Sequence, residues 1–254
     1  MFVSSLPILT FHALDDRPSV ISFPAALFRR AMAQLSERGF RTLDLLEAVD
    51  RLRQGMPFPA RSLVITFDDG YRSVYEEAFP VLERYGMCAT VFLTVGEEKA
   101  KEPASRMPSL NGRSMLSWSE IREMNSAVMG VGAHTLTHLD LSKAPENIVE
   151  VEMCQSKEII EDALGTPVAS FAYPYGHFSG RSLAIARQHF ACACCDRLGL
   201  IGLESDPHIL ARVDAYYLRS DRLLDLVGTS LFPQYVAALS LARRIRRRFQ
   251  SSSR

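Results

Sequence analysis

Ser62-Leu63-Val64-Ile65-Thr66-Phe67-Asp68-Asp69-Gly70 is the stretch on which the reading of this chain turns. Its first six residues are mostly apolar and β-branched over the length of a strand, the pattern of a strand buried in a parallel sheet. Two carboxylates stand where that strand ends, and Gly70 follows them. In α/β barrels and doubly wound sheets, the carboxyl ends of the strands form the open face on which sites are built. Neighbouring side chains on an extended strand point to opposite sides. One aspartate can therefore hold a cation while the other stays free to move a proton. A plain Asp-Gly turn is the alternative reading of the same residues.

Working outward, strand-like and helical stretches alternate. Pro7–Phe11 reads as a strand and Pro24 to Arg38 as a helix with Leu27, Phe28, Ala31, Met32 and Leu35 on one face. A second helix is expected over Leu43 to Arg53, another from Gly70 to near Tyr85, and a strand over Met87–Thr94. Gly96 to Ser114 has no periodicity and reads as a surface loop. A short helix capped by Ser117 or Ser119 precedes a strand at Val128–Ala133. A long helix over Pro145 to Leu164, a strand at Val168–Tyr173, a helix at Gly180–His189 and extended segments at Phe190–Cys195 and Ile209–Val213 complete the series. Repeated βα units imply a parallel sheet or barrel.

The chain has 254 residues, 47% of them hydrophobic and 23% charged, which suits one large α/β domain. Its 29 Lys and Arg balance 29 Asp and Glu, so bulk charge makes no case for nucleic acid. Met1 to Leu9 is apolar without a basic start, and reads as a first core strand rather than a signal peptide. Of five cysteines (Cys88, Cys154, Cys192, Cys194 and Cys195), the last three read as buried thiols in preference to a metal cluster. A reducing, cytoplasmic setting is the expectation. Phe232 to Phe249 reads as a helix that ends in Arg243, Arg244, Ile245, Arg246, Arg247 and Arg248. Such a tail is either a solvated terminus or a peripheral contact with an anionic membrane.

Two further strand ends carry chemistry. His134-Thr135-Leu136-Thr137-His138 follows a strand, and its two imidazoles can converge on one cation if the segment turns helically. No glutamate stands between them, which disfavours a zinc protease. Ala172-Tyr173-Pro174-Tyr175-Gly176 is a Pro-aromatic-Gly turn that can present backbone N–H groups to a ligand.

Asp-Asp, His-x-x-x-His and Tyr-Pro-Tyr-Gly, in that order, resemble the polysaccharide deacetylases, carbohydrate esterase family four, with their nodulation-type deacetylase domain. The resemblance runs from about Pro7 to Asp214 and includes Leu9-Thr10-Phe11-His12. It implies a distorted (β/α) barrel of about seven strands over residues 1–215; residues 216–254 read as a helical extension with a basic tail. It also implies a divalent metal, zinc, bound by Asp69, His134 and His138, with Asp68 as general base and the backbone N–H of Tyr175 on the oxyanion, beside Pro174. The implied substrate is an acetylated sugar or polysaccharide, from which the N-acetyl group of an N-acetylhexosamine is removed.

Two departures stand out. The arginine that opens the family's third motif is replaced by Ala172, and Arg212 is a candidate to supply a guanidinium from elsewhere. The C-terminal motif that provides the general acid is not recognisable. His12 and His208 are the candidates, with His12 favoured because it follows the first strand. Hydrolysis of another C–N bond, such as a cyclic amide, and a catalytically silent carbohydrate-binding homologue are the alternatives.

Overall fold

The structure, a computed structural model, describes residues 2–96 and 109–251. Its centre is a barrel of seven parallel strands: β1 (Ile8–Phe11), β2 (Ser62–Phe67), β3 (Ala89–Leu93), β4 (Met129–Ala133), β5 (Ser170–Ala172), β6 (Cys192–Leu198) and β7 (Leu210–Asp214). Each strand pairs with the next in the chain, and β1 pairs with both β2 and β7, which closes the ring. Closure removes the exposed edges that an open sheet would have to protect. The ring is uneven: β4 meets β5 through one register pair, Ala133 with Phe171, and β6 shifts register against β7 between Cys194 and Leu198.

Helices α1 (Ala25–Glu37), α2 (Leu45–Arg53), α3 (Phe79–Arg84), α4 (Trp118–Ala127), α5 (Glu146–Leu164) and α6 (Gly180–His189) connect the strands, and α7 (Phe232–Ser251) follows the barrel. Strand alternation divides the core in two. Leu9, Phe11, Ile65, Phe67, Val91 and Phe171 face outward into the main cluster under the helices. Ile8, Val64, Phe92, Ala172, Cys194 and Leu210 fill the interior, where Leu45, Ala48 and Val49 of α2 join them. Gly132 has a packing reason: a Cβ there would lie 2.4 Å from a ring carbon of Phe92.

The expected helix after Gly70 is broken. A π-helical turn, Val74–Ala78, precedes α3, and Pro80 near the junction has no N–H to donate. Ser117 and Glu120 form a reciprocal capping box that starts α4. Of the loop expected over 96–114, the described part contains an antiparallel hairpin, Ser109–Leu110 with Arg113–Ser114; positions 97–108 lie outside the described residues. The thiols of Cys192, Cys194 and Cys195 are buried and free. In the C-terminal extension, Phe232 and Val236 of α7 belong to the main core cluster. No helix among the described residues is long and apolar enough to cross a membrane.

Candidate active site

His12, Asp68, Asp69, His134, His138 and Arg212 gather at the carboxyl ends of the strands, around a cavity of about 510 Å³. His12 follows β1, Asp68 and Asp69 follow β2, His134 follows β4, and Arg212 lies in β7. Asp69 Oδ1 is 3.4 Å from His134 Nε2 and 3.2 Å from His138 Nε2. One ligand atom from each of the three residues lies within 4.8 Å of the others. Asp69 Oδ1 is buried yet lacks, among the described residues, a partner in hydrogen-bonding geometry, an arrangement that is costly unless something else completes it. Burial pushes the Asp69 carboxyl up, but the two facing imidazoles outweigh it and hold the group well below the usual range. One carboxylate and two imidazoles are a donor set suited to zinc and similar ions, so the residues fit a divalent cation.

The backbone that presents these groups is unusual. Asp69, Thr135, His138 and Tyr175 all have positive φ, at 71°, 69°, 60° and 57°. Left-handed conformations at non-glycine residues cost of order 1–3 kcal/mol each and persist where the surroundings enforce them. The expected helical turn after His134 is absent. Thr135 and His138 instead reverse the chain in a bend, and the two imidazole centroids end 5.0 Å apart. His134 is oriented by Ala172, whose carbonyl oxygen lies 2.7 Å from its Nδ1. A ligating histidine commonly uses its second nitrogen in this way.

Asp68 is buried and sits opposite Arg212. Nη1 and Nη2 of Arg212 donate to Oδ1 and Oδ2, each at 2.7 Å. Burial would raise the Asp68 carboxyl, but the Arg212 guanidinium reverses that and holds it below its ordinary value. Arg212 also donates to the Cys195 carbonyl at 3.3 Å. A guanidinium from β7 thus faces Asp68, while Ala172 at the end of β5 has none to offer. His12 Nε2 stands 3.8 Å from Asp68 Oδ2.

Other candidates fall elsewhere. His208 lies before β7, at the opposite end of the barrel from the site, with Nε2 3.0 Å from the Phe190 carbonyl oxygen. Pro174, expected beside the substrate, is buried within its turn because its ring packs inward; Tyr175 and Gly176 line the cavity instead. The Tyr175 ring is exposed and stands edge-on to His138, centroids 4.7 Å apart. Trp118 packs against the core. Asp15 pairs with Arg113 and Asp206 with Arg187. Sequence reading missed Tyr71, which is fully buried near Asp69 and accepts a hydrogen bond from Asn111 at 3.1 Å. Its place two residues after a ligand was the available signal.

Comparison with known proteins identifies the family. Residues 55–191 match the family model described as polysaccharide deacetylase. YxkH of Bacillus subtilis strain 168, itself assigned to the polysaccharide deacetylases, is 27% identical over 238 residues, covering 93% of this chain and 77% of that protein. The poly-β-1,6-N-acetyl-D-glucosamine N-deacetylase of Escherichia coli K12 is 26% identical over 136 residues, half of this chain but 20% of that enzyme. Among solved structures, IcaB from Ammonifex degensii superposes with a TM-score of 0.75 at 25% identity, over 89% of this chain and 96% of that one. With one family model matching more than half its length, the chain belongs to the polysaccharide deacetylase family.

Proposed function

We propose that the protein is a metal-dependent N-deacetylase acting on N-acetylhexosamine units of a polysaccharide, with poly-β-1,6-N-acetylglucosamine as the polymer class to test first. One observation carries the reading: Asp69, His134 and His138 bring ligand atoms together beside a buried Asp68 that Arg212 grips with two hydrogen bonds. The named activity of the E. coli relative supports the choice of polymer.

A divalent cation held by Asp69, His134 and His138, zinc in this reading, would polarise the acetyl carbonyl and lower the pKa of a bound water to about 7. Asp68 is placed to take the proton from the attacking water. Because the Arg212 guanidinium holds the Asp68 carboxyl below its ordinary value, keeping that proton on Asp68 is unfavourable. Asp68 therefore suits a group through which the proton passes. His12, with Nε2 3.8 Å from Asp68 Oδ2, is the group to pass it to. His12 delivers a proton to the sugar nitrogen as the C–N bond breaks, which gives free acetate and the amine. The Tyr175 backbone N–H is assigned to the oxyanion, an interaction of a kind often worth about 3 kcal/mol. Arg212 weighs against a silent binding homologue, because it provides the support for Asp68 whose loss at Ala172 had suggested one.

The arginine-rich end of α7 is our candidate for peripheral membrane contact. Its 20 residues include Arg243, Arg244, Arg246, Arg247 and Arg248 and no Asp or Glu, while Leu241 and Ile245, one helical turn apart, are exposed. Arg243 is already committed to Asp196 at 2.8 Å.

The test of function is acetate release from poly-β-1,6-N-acetylglucosamine oligomers by the purified protein, with and without a chelator. Release that stops on chelation and returns with Zn2+ is expected. No release from any acetylated sugar, with the cation bound, would contradict the deacetylase reading and leave the cyclic-amide hydrolase and the silent homologue.

A further inference from the structure

Glu152 is a carboxylate buried in α5, 5% exposed, and no ion pair with it is found among the described residues. Instead it serves the His134–His138 segment. Oε2 accepts from the backbone N–H groups of Leu136 and Thr137, each at 2.9 Å, and Oε1 accepts the Thr137 hydroxyl at 2.6 Å. These three donors lie between the two histidines, in the bend flanked by the left-handed Thr135 and His138. The same bend is held from within and from below. The Thr135 hydroxyl accepts the His138 N–H at 3.0 Å, and Gly96 runs so close beneath that a Cβ on it would lie 2.1 Å from the Leu136 carbonyl oxygen.

We propose that Glu152 is a positioning residue: by gathering the backbone N–H groups of the bend, it presets the direction of His138 Nε2 toward Asp69 before any cation binds. This rests on the metal reading of the site. A backbone with two left-handed non-glycine residues has extended alternatives that would carry His138 out of reach of Asp69. A single carboxylate with three charge-assisted hydrogen bonds opposes them. It acts on the ligand through the backbone, whereas the Ala172 carbonyl acts directly on the His134 ring. Partners that orient ligands typically change metal affinity by about 10–100-fold when lost.

The experiment is spectrophotometric titration of the metal-free protein with Co2+, whose absorption bands report ligand geometry, on wild type, Glu152→Gln and Glu152→Leu, with unfolding of each metal-free protein followed in parallel. Gln can still accept from both N–H groups, so it should weaken Co2+ binding less than Leu. Leu should weaken it by about 10–100-fold with altered bands, beyond any change in stability. Equal affinity and identical spectra in all three folded proteins would overturn the proposal. If the Leu variant does not fold, Thr137→Val, which removes one donor, takes its place, and unchanged affinity in both it and the Gln variant is equally decisive. A wild-type protein that takes up no Co2+ would sink the metal reading itself, an outcome distinct from wild-type binding that the substitutions leave unchanged.

Discussion

Asp68 and Arg212 show how a buried charge pair is held for work. Both side chains are almost wholly buried, and the guanidinium meets both carboxylate oxygens. Breaking such a pair by removing one partner strands the other charge and costs about 3–5 kcal/mol. Arg212→Met should therefore lower the urea-unfolding free energy at pH 7 by that amount. The pH dependence has a definite sign. In the native protein the Asp68 carboxyl lies below its unfolded value of about 3.9, so its stabilising contribution is complete above that pH and is lost as pH falls through the folded value. In the Met variant the guanidinium no longer opposes burial, which pushes the carboxyl up against the weaker pull of His134 and His12, so the gap between the two proteins should widen as pH rises from about 4. A gap that is constant with pH would mean the arginine contributes packing only. Arg212 was within reach of sequence reasoning: in the strand Leu210–Asp214 it shares parity with Leu210, which faces the barrel interior. What the sequence could not supply was the pairing of β7 with β1, which carries that side chain across to β2.

At the level of elements, strands were read well and the loops at their ends poorly. The buried runs before Asp68, His134 and Tyr173 announce themselves by composition, and α6 and α4 have clear caps. The bend after His134 has no such signal, because it is held by Glu152, 14 residues beyond the last histidine in a stretch read only as a long helix. Tyr71 was hidden for a similar reason: its partner Asn111 is 40 residues away. The Tyr-Pro-Tyr-Gly turn is more legible. Gly176 has φ +69°, and a Cβ there would lie 2.0 Å from Asp196 Cβ, so the turn is pressed against β6. Gly176→Ala should cost about 1–3 kcal/mol, seen as a lower urea midpoint with unchanged slope, and should reduce kcat because Tyr175 moves with the turn. A variant as stable and as active as wild type would show that Tyr175 is not held by this contact.

On the scale of the whole molecule, closing seven strands in chain order brings residues between positions 12 and 212 around one cavity. Sequential βα units made a barrel or sheet legible, and closure itself had to come from the β1–β7 pairing. Outside the barrel, α7 has its own prediction. Vesicles containing about a third anionic lipid should co-sediment the protein at low salt, and Arg244→Glu with Arg246→Glu should release it; equal binding to neutral vesicles would remove the electrostatic argument. The most direct measurement for the site is cation stoichiometry by elemental analysis of purified wild type, Asp68→Asn, His134→Ala and His138→Ala after loading with Zn2+, paired with acetate release. One equivalent in wild type and in Asp68→Asn, with release lowered about 10²–10⁴-fold in the latter, and little or none in the histidine variants, is the expected result. A full equivalent in the histidine variants, or its loss from Asp68→Asn, would contradict it.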